Sequence, residues 1–559
     1  MSIWPALSAL NSNTQTFPVL TEAQTERVRP LATLRKVVPG EVLFQPGDLR
    51  VPFFVILSGQ LDILQPSLSG ERLVTTHLPG AFTGEVSMIS GRPSLVLGRV
   101  AEAGELLELT QDALRSLIGR DAELSEVIMR AFILRRLELI SHNLGNVIVL
   151  GSRHSADTLR IREFLGRNTH PYTYVDLDSD KTSQELLDRF HVELDQIPVV
   201  ICDGSKVMRN PSTQELASCL GLNANLDGAK AKDVIIIGAG PAGLAAAVYA
   251  ASEGLDALVV ETDAPGGQAG SSSKIENYLG FPTGISGQEL AARAIHQAQK
   301  FGATMVVARS ITRLSCGKRP YELMMEDGGV LSARSIVIAT GAQYNKPNLS
   351  NLVKFEGQGV YYGATYIEAQ LCGGEDVIVI GGGNSAGQAA VFLSQTTRKV
   401  YMLVRSGCLA QTMSRYLIQR ISENPAIELH LNSEIQHLEG DTRLERVQWI
   451  NKNSGEKITR DIRHVFVMAG ASPRTEWLKG CVALDDKGFI LTGRDLAVSG
   501  AADPSLAWPL TRAPQLLETS LPGVFAVGDV RSGSVKRVAS AVGEGAIAVH
   551  LVRRALAEL

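Results

Sequence analysis

No two of the six cysteines stand at C-x-x-C spacing. They lie at 202, 219, 316, 372, 408 and 481, so neither a disulfide framework nor a metal site is expected. No stretch approaches the roughly 18 apolar residues that a membrane span needs. Residues Met1 to Leu7 have neither the basic nor the apolar segment of a secretory leader. Positive charge is not in excess either. The net charge of −4 argues against nucleic-acid binding and against attachment to an anionic membrane. A soluble, cytoplasmic chain is expected, and 559 residues imply several domains.

The chemistry starts at Asp233 to Glu261. Five residues, Asp233-Val-Ile-Ile-Ile, read as a buried strand, and Gly238-Ala-Gly240-Pro241-Ala242-Gly243 leads from it into a helix rich in small residues. Gly238 allows the tight turn, Gly240 lets a pyrophosphate approach the backbone, and Gly243 lets the helix pack close to the strand. The anion then meets the free N–H groups of a helix N-terminus. Glu261 ends the second strand eighteen residues after Gly243, where a carboxylate accepts hydrogen bonds from a ribose hydroxyl.

A second fingerprint, Gly381-Gly-Gly383-Asn384-Ser385-Ala386, follows the strand Asp376-Val-Ile-Val-Ile. Its second strand ends in Arg405, where the first ends in an acid. An Arg at that place pairs a 2′-phosphate that a carboxylate would repel, so NADPH is expected over NADH. Arg415 is a candidate second contact. Gly267-Gln268 and Asn277 lie in Gly- and amide-rich loops suited to close approach by a flat ring, and Thr340-Gly341 is the small-residue end of a strand from Ile336.

Further motifs are Gly528-Asp529 after a short strand, and Ala539 to Ala548 opening a helix. Together these segments resemble the low-molecular-weight thioredoxin reductase group of pyridine-nucleotide flavoproteins. The resemblance implies FAD and NADPH as cofactors, held in two Rossmann-like domains. The FAD domain is split over 228–345 and 472–559, and the NADPH domain occupies 346–471. It also implies flavin contacts at Gly528, Asp529, Val538 and Ala539, rotation of the two domains against each other in turnover, and a homodimer. The group's C-A-T-C-D segment falls on Gly363-Ala364-Thr365-Tyr366-Ile367, so both cysteines are replaced and Glu368 stands one place after the general acid. Electrons then cannot leave FAD by dithiol–disulfide exchange. Ferredoxin, a quinone, oxygen or a directly reached disulfide are the acceptors left open, with Tyr362 or Tyr366 covering the flavin face and Cys372 as a lone thiol.

Upstream, residues 31–110 carry short apolar runs broken by Gly and Pro, and helical periodicity follows from Asp112 to Ile140. Pro39-Gly40-Glu41-Val-Leu-Phe-Gln-Pro-Gly47-Asp48 and Phe53-Phe-Val-Ile-Leu-Ser-Gly59 resemble a β-roll cyclic-nucleotide-binding domain, over 1–140. Its phosphate cassette falls on Gly84 to Ser94. Glu85 fits the ribose acid, but Ser94 stands where an Arg would pair the cyclic phosphate, with Arg92 two residues early. Residues 141–227 read as strand, helix, strand, helix around Ser183–Phe190, and strand, with a cis bond plausible at Pro198. They resemble a thioredoxin-like α/β domain whose C-x-x-C place holds Ser155-Ala156-Asp157-Thr158. Asn223 to Lys232 is the clearest linker.

The fold class expected is therefore multi-domain: a β-roll, a thioredoxin-like α/β domain and two Rossmann-like domains. The function expected is NADPH-dependent flavoprotein oxidoreduction, with a flavin-containing nucleotide or redox sensor as the alternative.

Overall fold

The computed structural model describes residues 13–67, 70–84, 87–90, 93–141, 147–178, 196–202, 206–223, 226, 230–498 and 506–558. Two compact units emerge. One comprises Met1–Ser152, Asn168–Ala224 and Gln299–Gly302, and the other Arg153–Arg167, Asn225–Ala298 and Ala303–Leu559.

The first unit opens with two antiparallel sheets. Thr33–Val37, Gly104–Leu109 and Phe53–Ile56 form one, and Val42–Phe44, Leu97–Glu102, Gln60–Ser67 and Gly70–His77 the other. The run Phe53-Phe-Val-Ile is apolar at every position because both faces of its strand are covered. Phe53 and Val55 pack against Leu124, Ile128 and Phe132, whereas Phe54 and Ile56 meet Leu61, Val100 and Leu106. The single helical stretch expected from Asp112 is two helices, Gln111–Arg120 and Ala122–Ser141. Asp121 is extended between them, and its carboxylate accepts from the backbone N–H of Leu124, so it ends one helix and starts the next.

A four-stranded sheet in the same unit has the order Lys206–Arg209, Val199–Cys202, Val147–Gly151, Thr173–Asp176. Val147–Gly151 runs parallel to Thr173–Asp176 and antiparallel to Val199–Cys202. The Ile197–Pro198 bond is cis. The helix expected at Ser183–Phe190 lies outside the described residues, as does half of the Asn223–Lys232 linker.

The second unit contains two lobes. In the first, the parallel strands Thr304–Val306, Ala257–Val260, Lys232–Ile237 and Val330–Ile338 continue into the antiparallel Tyr321–Met325 and Ile311–Ser315, and Val524–Ala526 adds to Val330–Ile338. In the second, Val360–Tyr361, His464–Val467, Asp376–Ile380, Lys399–Val404 and Ile427–Leu431 are all parallel. The chain crosses between the lobes twice, and the two crossings pair with each other as Ala342–Tyr344 and Ala471–Pro473.

The cysteines correct one expectation. Cys316 and Cys481 form a disulfide across 165 residues. Cys316 directly follows the edge strand Ile311–Ser315, and Cys481 lies just beyond the short helix Glu476–Leu478 that packs on the same sheet. Spacing along the sequence has no access to a pair made by lobe topology. Among the described residues, no helix is long and apolar enough to cross a membrane.

Candidate functional site

At the first fingerprint, Gly238 is left-handed (φ +104°) and its backbone is close to Ala339. A Cβ on Gly243 would overlap the Gly238 carbonyl oxygen, so the helix Pro241–Ser252 packs on its strand only without a side chain there. Ala242 and Gly243 are buried at the start of that helix, and Gly240 is its N-cap. A Cβ on Gly240 would meet only Gly267 Cα, at 3.8 Å. Two glycine-rich loops thus face each other with no side chain between their closest points. Glu261 is 8% exposed and accepts from the backbone N–H of Ala239 at 2.6 Å and of Asp263 at 3.0 Å. Burial raises its pKa, and those two N–H groups and Arg167 oppose the rise.

Gly528 is left-handed (φ +72°), and a Cβ on it would stand 3.0 Å from Ala242 Cβ, so Gly528-Asp529 abuts the first fingerprint. The Gly528 N–H donates to Glu544, which Arg531 also grips. Burial raises the pKa of Asp529, against the pull of Lys536, and its carboxylate has no hydrogen bond among the described residues. Val538 begins the helix Val538–Glu558 with Ala539 exposed beside it; Gln268 and Asn277 are exposed, and Thr340 donates to the Arg474 carbonyl. Free N–H groups at a side-chain-free helix start, a buried acid at the second strand and a second largely buried acid beside Gly528 fit a dinucleotide that carries a flavin.

The second fingerprint repeats the plan. Gly381 has φ +140° and lies against the Met468 backbone, and Gly383 caps the helix Asn384–Leu393 with open space at its Cα. Asn384 Oδ1 accepts from the Ser414 N–H at 2.8 Å, and the Thr412 hydroxyl donates to the Gly382 carbonyl at 2.7 Å. These bonds hold the start of the helix Arg415–Glu423 at the fingerprint. Arg405 and Arg415 are both exposed, and neither has an ion-pair partner among the described residues. Ser385 hydrogen-bonds Tyr344, a contact that no local pattern announces.

The stretch between the fingerprints lies against the first lobe. Ala364 forms a parallel bridge with Ser272, and Gly363 faces the Ser271 side chain. Tyr362 packs on the second lobe's core and donates to Glu356 at 2.6 Å, while Tyr366, 41% exposed, begins the helix Tyr366–Leu371. Burial, then the bond to Glu356, raises the Tyr362 pKa. Cys372 is fully buried; its thiol donates to the Glu368 carbonyl at 3.2 Å and its pKa is pushed up to about 12.

Glu368 is also buried. It caps its own helix by accepting from the Thr365 N–H and hydroxyl, and it hydrogen-bonds Glu163, whose pKa burial drives up to about 9. In the unfolded chain Glu163 ionises near 4.5. Between those values the folded state keeps a proton that the unfolded chain releases. Its contribution to stability is full below the lower value and is lost as pH rises through the upper one. Glu163→Gln keeps a donor without the titration. The loss of thermal stability between about pH 5 and about pH 9 is expected to be smaller in that variant than in the parent. Parallel melting curves would refute this coupling.

In the first unit, a cavity of about 190 Å³ is lined by Gly84, Ser94, Arg50, Arg72, His77 and Arg135, among others. Ser94 is buried and its hydroxyl donates to the Val96 carbonyl. Arg135 donates to the carbonyls of Thr16, Phe82 and Gly84, and burial holds His77 neutral, at a pKa of about 3. Glu85 and Arg92 lie outside the described residues.

Residues 232–545, more than half of the 559, match the family described as pyridine nucleotide-disulphide oxidoreductase. The chain belongs to that family. Residues 34–121 match the cyclic nucleotide-binding domain. A thioredoxin reductase of Mycoplasmopsis pulmonis is 32% identical over 321 residues, 57% of this chain and 95% of that protein. One from Treponema pallidum is 34% identical over 319 residues, again 57% and 95%. The Lactococcus lactis thioredoxin reductase structure is 28% identical with a TM-score of 0.52, and the match covers 59% of this chain and all of that one. This pyridine nucleotide-disulphide oxidoreductase is an FAD-dependent NAD(P)H enzyme with FAD and NADPH as its cofactors.

Proposed function

We propose that this oxidoreductase draws hydride from NADPH through FAD and serves an acceptor that meets the flavin site directly, with no dithiol relay of its own. FAD and NADPH, when bound, supply the hydride chemistry, and the protein supplies alignment. One observation carries the reading. The stretch Gly363–Tyr366 lies against the FAD lobe and contains no thiol. The nearby Cys372 is buried, and a thiol with a pKa of about 12 is not a nucleophile at neutral pH. Thioredoxin reduction, the activity in the relatives' names, is therefore not assigned to this chain. A ferredoxin-type carrier, a quinone, oxygen or a substrate disulfide fits the same open arrangement.

Arg405 and Arg415 are assigned to the 2′-phosphate, and the residues of the first fingerprint, Glu261 and Asp529 to FAD. Tyr366 is assigned to the flavin face on the strength of its exposure at the start of its helix. Tyr366→Ala is expected to change the flavin spectrum and turnover; if neither moves, that role is removed. The order and directions of the sheet around Val147–Gly151 support a thioredoxin-like domain over 141–227. The cavity at Gly84 and Ser94 supports a ligand pocket in the N-terminal barrel, for which cyclic AMP is the probe.

The deciding experiment is an anaerobic titration of the flavin-loaded protein with NADPH or NADH, with and without cyclic AMP, read by flavin absorbance. NADPH is expected to bleach the flavin faster than NADH. No bleaching by either would overturn the enzyme reading and leave a flavin-containing sensor. A bleaching rate that does not respond to cyclic AMP would leave the barrel without that ligand.

A further inference from the structure

The helix Ala156–Arg167 precedes the residues matched by the oxidoreductase family, yet it belongs to the same compact unit. It touches both lobes. Toward the NADPH lobe, Leu159 is buried in the cluster that includes Tyr361, Ala364 and Cys372, and Ala156 fills the space beside Gly357. Glu163 meets Glu368 in the middle of the helix. Toward the FAD lobe, the Gly166 carbonyl accepts from Gln288 Nε2 at 2.6 Å.

Arg167 ends the helix, where a positive charge suits the dipole. Its Nη2 donates to the Ala264 carbonyl at 2.7 Å and reaches the Gly267 carbonyl at 3.5 Å. Both carbonyls belong to the loop that faces the first fingerprint. In that loop, the Gly266 N–H donates to the Ala239 carbonyl at 2.8 Å, and a Cβ on Gly267 would stand 2.9 Å from Gly240 Cα. The guanidinium also acts electrostatically on Glu261. Arg167 Nε is buried with no acceptor among the described residues. A half-buried, multiply bonded guanidinium is not an ordinary surface charge.

We propose that Arg167 is a positioning residue of the FAD site: it holds the Ala264–Gly267 loop at the height at which the first fingerprint receives the cofactor. FAD affinity then depends on a helix that the flavoprotein segment does not itself contain. In the chain this helix follows Val147–Gly151 and precedes Thr173–Asp176. The proposal rests on the FAD reading above, and its failure is separable from a failure of that reading.

The test uses the full chain stripped of flavin and titrated with FAD, followed by quenching of flavin fluorescence. Arg167→Ala is expected to raise the FAD Kd about tenfold or more, the size of a lost charge-assisted hydrogen bond. Arg167→Lys keeps the charge and a donor and is expected to lose less. Leu159→Ala loosens the helix on the NADPH lobe and leaves the Arg167 bonds in place, so its FAD Kd is expected to stay within about twofold of the parent, as for a site without shared partners. An FAD Kd unchanged in Arg167→Ala would overturn the proposal. So would an equal loss in Leu159→Ala, because docking of the helix would then be the whole effect. Should Arg167→Ala not fold, Arg167→Gln decides: an unchanged Kd overturns the proposal and a raised one upholds it. A parent chain that takes up no FAD would overturn the functional reading instead.

Discussion

Gly243→Ala is expected to yield a colourless protein. The added methyl has nowhere to go, because it overlaps the Gly238 carbonyl and crowds Ala339 Cβ at 3.3 Å. Both neighbours are fixed, one by the turn and the other by the strand end. The helix Pro241–Ser252 must therefore move off its strand, and overpacking of this kind costs about 1–3 kcal/mol even where the core adapts. The proposed FAD site has less tolerance than stability does, since the moving end of the helix carries the N–H groups assigned to the pyrophosphate. Loss of at least about 100-fold in FAD affinity is expected, following the 1.4 kcal/mol per tenfold relation. Gly543→Ala is the internal control. It lies in the helix Val538–Glu558 with open space at its Cα, and Gly to Ala in a helix interior stabilises by about 1 kcal/mol. A yellow Gly243→Ala chain with normal FAD affinity would show that the helix contact does not set the site.

The second large effect is on coenzyme choice. Arg405→Ala is expected to lower kcat/KM for NADPH by about 10- to 100-fold and to leave NADH nearly unchanged, as expected for a charge-assisted contact worth about 1.5–3 kcal/mol. Arg405 is exposed just after Lys399–Val404, with no ion-pair partner among the described residues to compete for it. Arg415 is brought to the same fingerprint by the Ser414–Asn384 and Thr412–Gly382 bonds. Replacing both is expected to cost more for NADPH than either change alone. Equal losses with the two coenzymes would mean that Arg405 shapes the loop and does not read the 2′-phosphate.

The two fingerprints are legible in the sequence because each is local. A strand, a turn, a helix start and a second strand fit within about thirty residues, as a βαβ unit requires, and each glycine is demanded by its own neighbours. The β-roll was readable for a similar reason, since Phe53 to Ile56 is apolar throughout only because both sides of the strand are buried. Weaker cues failed. The Asp112–Ile140 periodicity hid the break at Asp121, because a capping carboxylate can restart a helix without disturbing the apolar pattern.

The sequence by itself determined the two nucleotide folds and the want of a thiol between Gly363 and Tyr366. Tertiary structure alone decided that Cys316 meets Cys481, that Glu163 shares a hydrogen bond with Glu368, and that Arg167 reaches the flavin loop. The physical reason is range. A turn or a fingerprint is specified by the dihedral and steric needs of adjacent residues. A contact across a hundred residues or more is specified by how finished elements pack, and that leaves no periodic trace in the chain.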